Sequence, residues 1–341
     1  MLVDEYIYGV ARIRALESTL LTDEDVKSLV EAKDYDSALQ MLKDKGWGSN
    51  TPNESLNDII EIEKNKTREV IDDIIKDKDD KKILIVEDEY HNLKTAIKKV
   101  YTDASVANKY VYVALDPNGV KDENDEHIKV IENITIKELE DIITNSEYEK
   151  LPEHMIHTAR KASETLIKSG DGQLCDIIID KQLLRMFRNI GRESTNSLIK
   201  DYTNIKVGMA DIKIAIRSAR AGKDSDFAFK AMIPCEYVNV NELERAVNDG
   251  YEAVIDYLKD IGHEDLALAA EKSISYFECV CDNKIIERIK SQKYETFTIG
   301  PVLAYSLARY NEIKTVKIIL SCKENGFDED FIKERARIMY A

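Results

Sequence analysis

The sequence predicts an all-α protein, and three observations carry that prediction. Only 5 Pro and 13 Gly are spread over 341 residues, so long stretches contain no helix breaker. Apolar residues recur at steps of three and four along most of the chain. A block that reads as a helix start also occurs three times, at Leu21 to Tyr35, Ile134 to Tyr148 and Val238 to Tyr251.

Each block opens with an aliphatic residue and then a residue able to cap a helix: Thr22, Thr135 or Asn239. An acid stands three positions on (Asp25, Glu138, Glu242), in the manner of a capping box. An aliphatic follows at once (Val26, Leu139, Leu243), and a tyrosine comes 9, 9 and 8 residues after it. The chain length allows two or three units of about 100 residues each, and the repeat favours three. The expected modules are 1–90, 91–203 and 204–341.

In chain order, a first helix is expected from Asp4 to about Leu21, turning Tyr8, Ile13, Leu16 and Leu20 inward and leaving Arg12, Arg14 and Glu17 solvated. After the first block, Ala38, Leu39 and Leu42 mark one side of a short helix that Gly46 and Gly48 end. A segment starting at Pro52 and Asn53 puts Leu56, Ile59, Ile60, Ile71, Ile74 and Ile75 on one face. The mixed charges near Asp79 read as a solvated turn between long helices. Ile83 to Val86 looks like a strand taken alone, but the helical period that follows makes it the start of a buried helix.

Residues Tyr110 to Val130, with DPNG and DENDE, read as an exposed loop; DENDE lacks the glycine and closing Glu of a calcium loop. Helices are expected from Glu153 to Lys168 and, after the GDG turn at Gly170, through Arg188. Between Ser194 and Ala221, Leu198, Tyr202, Ile205, Met209, Ile212, Ile216 and Ala219 follow alternating steps of four and three, an a/d seam for one long helix packed along another. The third block leads into GYEAVIDYLKDIG, which echoes DYDSALQMLKDKG. A long helix from about Asp265 to Ile289, another stopping at Gly326, and a last one from Asp328 to Tyr340 complete the chain.

A second repeated element lies on the long helices: an aliphatic followed by a base at Ile13-Arg14, Leu93-Lys94, Ile205-Lys206 and Ile313-Lys314. The bases are 80, 112 and 108 residues apart.

The net charge of −16 argues against nucleic acid, whose phosphates this field repels. No run approaches the ~20 apolar residues that span a bilayer, and MLVDEY is no signal peptide, so a soluble cytoplasmic chain is expected without direct membrane insertion. Five cysteines without a CxxC pair read as reduced core thiols. There is no GxxxxGK loop and no GxGxxG after a strand. Glu153, His154 and His157 could start a metal site, but no third or fourth ligand stands out, and surface or packing histidines are the preferred reading. His91 is expected to bond a neighbouring helix, and His127 and His263 lie beside loops. No catalytic, cofactor or metal site is expected.

YGVARIRALESTLL near the N-terminus, YHNLK at Tyr90 to Lys94, TNIK at Thr203 to Lys206, and LARYNEIKTVKIILSCKENG at Leu307 to Gly326 resemble the C subunit of the bacterial and archaeal V/A-type rotary ATPase. Its eukaryotic relative is the d subunit of the vacuolar ATPase. The resemblance covers nearly the whole chain in order. It implies three similar helical modules in a pseudo-threefold arrangement, forming a funnel with a central cavity.

It also implies a non-catalytic part of the central rotor, seated peripherally on the cytoplasmic face of the membrane proteolipid ring and receiving the shaft subunits D and F. The matched positions are Arg12, Arg14, His91, Asn92, Lys94, Asn204, Lys206, Asn311, Glu312 and Lys314. Polar pairing between neighbouring helices is expected for them ahead of shaft contact. Thr203 stands where the other module has His91, which argues against a special role for that histidine. A helical-repeat scaffold for an unrelated protein is the alternative.

Overall fold

The computed structural model describes residues 6–49, 51, 54–76, 78–101, 129–223 and 225–341. The chain is all-α, with one two-stranded hairpin among the described residues. The helices are α1 (Ile7–Glu17), α2 (Asp23–Glu31), α3 (Tyr35–Asp44), α4 (Leu56–Ile74) and α5 (Lys78–Tyr101). The hairpin β1 (Lys129–Ile131) and β2 (Ile134–Thr135) leads into α6 (Ile136–Thr144), a 3-10 turn at Tyr148–Lys150, α7 (Glu153–Ser169), α8 (Gly172–Glu193) and α9 (Ser197–Arg220). Then come α10 (Ser225–Ala231), α11 (Val240–Asp249), α12 (Tyr251–Asp260), α13 (Glu264–Lys272) and α14 (Ile274–Ile289). A 3-10 turn at Lys290–Tyr294, α15 (Gly300–Glu324) and α16 (Glu329–Lys333) follow.

The chain divides into two compact units, one of Met1–Lys76, Thr195–Ile205 and Asp249–Ala341, the other of Asp77–Ser194 and Lys206–Asn248. The first unit is built on α15, which is buried nearly all round and packs against α1, α3, α4 and α14. A helix covered on every side needs no polar face, and its sequence accordingly shows little amphipathic contrast. Its core joins Leu29, Leu42, Trp47 and Ile59 to Ile313, Val316 and Leu320. In the second unit α5 packs against α6, α7 and α8, around Tyr90, Leu93, Ile97, Ile143 and Ile179.

The repeated block has a physical identity. Thr22 and Thr135 each close a full capping box, with Asp25 and Glu138 returning the bond to the cap N–H. Asn239 caps by a shorter reach, its Oδ1 accepting from the Asn241 N–H at 3.1 Å. Each block's tyrosine is the first residue of the next element: Tyr35 in α3, Tyr148 in the 3-10 turn and Tyr251 in α12.

The α3 and α12 helices are both ten residues long and end alike. Gly46 (φ 84°) and Gly262 (φ 83°) adopt the left-handed conformation, and the N–H groups of Trp47 and His263 reach back to the carbonyls of Leu42 and Leu258.

Several expectations need correction. Helix α1 ends at Glu17, and Tyr8 is 74% exposed. Gly9 takes the inner position instead, because a Cβ there would stand 2.4 Å from Ile74. Arg14 and Glu17 are half-buried and paired with each other. Helix α4 begins at Leu56, with Ser55 as its cap and Asp58 completing a capping box.

The a/d seam of α9 is largely inside, yet Val207, Gly208, Asp211, Ala215 and Ser218 are buried too, so the helix is covered on more than a single stripe. The helix expected over Asp265 to Ile289 is two helices, because Ser273 is fully extended (φ −168°, ψ 159°) and caps α14 through the Tyr276 N–H. Asp328 does cap α16, but that helix stops at Lys333 and the chain runs irregularly to its end.

Ile83 to Val86 lies inside α5, as the helical period requires. The five cysteines are free thiols. Pro52, Asn53, DPNG, DENDE and His127 lie outside the described residues.

Candidate functional site

The long helices share a pentapeptide that the aliphatic–base pattern only half revealed: Tyr90–Lys94, Tyr202–Lys206 and Tyr310–Lys314 each run Tyr, any residue, Asn or Glu, aliphatic, Lys. On a helix the third and fifth positions project to different sides, and the structure gives them different tasks.

In two of the three, the third position holds the chain just before a capped block. On α5, the Asn92 Nδ2 donates to the Val130 carbonyl at 2.8 Å, and Glu89, one turn earlier, accepts from the Glu132 N–H at 3.2 Å. Together they fix the hairpin that delivers Thr135 to its cap. On α15, Glu312 Oε1 accepts from the Leu21 N–H at 2.8 Å, one residue before the cap Thr22. Asn311 beside it donates to the Ile338 carbonyl at 3.0 Å.

The fifth position carries an ion pair to another helix of the same unit. Lys94 on α5 pairs with Asp180 on α8, and one turn on, Lys98 pairs with Asp176 at 2.7 Å. Lys206 on α9 reaches Glu87 on α5 at 2.8 Å, and Lys314 on α15 reaches Asp282 on α14 at 2.6 Å.

On α1, Arg14 donates to the Gln292 and Glu295 carbonyls, both at 2.7 Å. Arg12 meets Asp73 at 2.9 Å and holds that carboxyl below its ordinary range. His91 and Asn204 are half-buried on α5 and α9.

One cluster had no sequence signal. Arg309, buried on α15, forks between two buried carboxylates, with Nη1 on Glu312 at 2.7 Å and Nη2 on Glu63 of α4 at 2.6 Å. Trp47 lies under the guanidinium, 5.2 Å from its ring centroid. Burial opposes the guanidinium charge, but Glu312, Tyr305 and Glu63 outweigh it and hold the pKa above its ordinary value. The other Glu63 oxygen accepts from the Gly48 N–H at 3.0 Å and from Lys66 at 2.7 Å. All four carboxylate oxygens are therefore engaged, the condition under which a buried ion network is tolerated. Glu63 was invisible because it is one of 65 acids in the chain and lies in a charged helix.

The second unit treats its buried acids differently. Glu89 and Asp211 are both pushed up to about 7, chiefly by burial. Each keeps one backbone N–H, from Glu132 and from Ile233, and the second oxygen of Asp211 has no partner.

These groups hold helices together. His154 is half-buried with its Nε2 unpartnered, and burial lowers its pKa. Among the described residues, no three His, Cys, Asp or Glu side chains gather as a metal site would need. Burial raises the thiol of Cys175 to about 11, which leaves it unreactive. Among the same residues no helix is long and apolar enough to cross a membrane.

Comparison with known proteins gives a consistent answer. Residues 9–335 match the family model described as ATP synthase (C/AC39) subunit. The A-type ATP synthase C subunit of Desulfurococcus sp. is 24% identical over 348 aligned residues, covering 97% of this chain and 90% of that protein. The proteins of the same name from Thermococcus kodakarensis and Pyrococcus furiosus are 22% and 21% identical, each covering 96% of this chain and 89% of the relative.

Proposed function

The chain belongs to the ATP synthase (C/AC39) subunit family, and from that premise we propose that it is the central-stalk component of a V/A-type rotary ATPase. In this reading it is non-catalytic and couples the rotating shaft, subunits D and F, to the membrane proteolipid ring. It sits peripherally on the cytoplasmic face of that ring. The observation that carries the proposal is the family match across residues 9–335, supported by relatives that align along nearly their full length.

The internal geometry supports a torque-passing part. A rotor adaptor must resist bending, and long helices tied by ion pairs at regular places supply stiffness without a rigid cofactor. The reading keeps three modules, 1–90, 91–203 and 204–341. Glu312, in the third module, holds the block at Thr22 in the first. Asn92, in the second, holds the block at Thr135 in the same module.

Purification of the tagged chain from native membranes tests the proposal. Shaft and ring proteins should stay bound, and deletion should uncouple ATP hydrolysis from ion movement. Recovery of neither partner, with coupling intact after deletion, would overturn it.

A further inference from the structure

We infer that the second unit carries a docking groove for an acidic, amphipathic segment of a partner protein. The groove is a cavity of about 380 Å³ between α7, α8 and α10. Its apolar lining includes Ile177 and Ile178 of α8 and Phe227 of α10, and its charged lining is Lys161, Lys181, Arg185 and Lys230. No aspartate or glutamate lines it, although the chain carries a net charge of −16. A concave, carboxylate-free cationic site on so acidic a protein is the opposite of what random placement gives.

Two of the cations are also unspent. Lys161 and Arg185 are exposed, and among the described residues neither is paired with a carboxylate. Lys230 has only a loose 3.5 Å pair with Asp226, and Lys181 is anchored by donating to the Lys230 carbonyl. The positive face continues along α8, where Arg185, Arg188 and Arg192 follow at steps of three and four. Burial and the two flanking arginines lower the pKa of Arg188, whose Nε is buried without a partner. Crowded like charges cost stability, and an incoming anion would relieve that cost.

The shape selects a peptide over a lipid surface. An anionic bilayer is flat and is repelled by the rest of this chain, whereas a groove with an apolar floor between cations complements a segment whose apolar side chains alternate with carboxylates. From Leu174 to Arg185 the floor runs about 16 Å along α8, room for three turns of a partner helix. The inference does not depend on the rotor assignment.

The test uses the full chain and a fluorescein-labelled twelve-residue helical peptide of Leu and Glu, read by anisotropy. Binding should weaken at least tenfold between 50 and 300 mM salt, and at least tenfold in the exposed-site variant Lys161→Glu/Arg185→Glu. A peptide with Lys in place of Glu should not bind. Circular dichroism reports whether the variant is folded, and Lys168→Glu, outside the groove, should leave binding unchanged. Equal binding by wild type and the double variant would overturn the proposal. So would binding confined to phosphatidylserine vesicles and lost in the double variant, which would make the groove a lipid site.

Discussion

Two regions bury acids to a similar depth and resolve the problem in opposite ways. In the first unit, Glu63 and Glu312 meet the Arg309 guanidinium, and every carboxylate oxygen is bonded. In the second, among the described residues, Glu89 and Asp211 each accept one backbone N–H, and burial pushes both up to about 7. Burial raises the pKa of Glu312 as well, but there the Arg309 guanidinium and the Leu21 N–H oppose the rise, so the two units should respond differently to mutation and to pH.

The largest expected effect is at Arg309. Arg309→Ala strands two carboxylates in the core and should destabilise the protein by about 3–5 kcal/mol, read from the denaturant midpoint. Arg309→Lys should recover only part of this, because an ammonium cannot fork to both acids with fixed geometry. A loss below about 1 kcal/mol for the alanine variant would break the comparison.

Next comes pH. Glu89 and Asp211 have folded-state pKa values near 7, above the 4.5 and 3.8 of free groups, so between about pH 4 and pH 7 the folded state holds the extra protons. Their contribution to stability is therefore present at low pH and falls as pH rises toward 7. Glu89→Gln/Asp211→Asn should gain stability over wild type at pH 8, by up to about 3–4 kcal/mol per site, and lose that advantage at pH 4. A difference independent of pH would show that these acids stay ionised when folded.

The capping boxes should matter less. Thr22→Ala and Thr135→Ala are each expected to cost about 1 kcal/mol, and Asn239→Ala somewhat less, since that cap serves one N–H at shorter reach. Parallel thermal melts of the three variants would show whether the repeat is energetic as well as geometric. Smallest are the helix-bridging lysines: Lys94→Ala and Lys314→Ala remove partly exposed pairs and should each cost about 0.2–1 kcal/mol, reduced further by salt.

Much of the first unit's local structure was legible because its signals are local. Thr22 with Asp25, and Gly46 after the Lys-Asp ending, are adjacent in sequence to the groups they serve. The break at Ser273 was missed because the apolar period runs on through it, while a single serine carries the cap. Tyr8 was misplaced because the helical period marks a face without saying which face the neighbour Ile74 will cover. The mini-hairpin and α10 were missed because each is shorter than the window over which periodicity can be read.

For the charged sites the limit is one of distance along the chain. The pentapeptides were visible in part as aliphatic–base pairs, yet their partners lie far away: Asp180 for Lys94, Asp282 for Lys314 and Leu21 for Glu312. Among 65 acids nothing marks Glu63 as the one that Arg309 will find.

By itself, then, the sequence determined the all-α class, the three capped starts and the matched turns after α3 and α12, since caps and periods act over fewer than about ten residues. Only the tertiary structure decided which buried acids meet a guanidinium and which meet a backbone N–H. That depends on which groups distant helices bring beside each acid, and only the assembled packing supplies them.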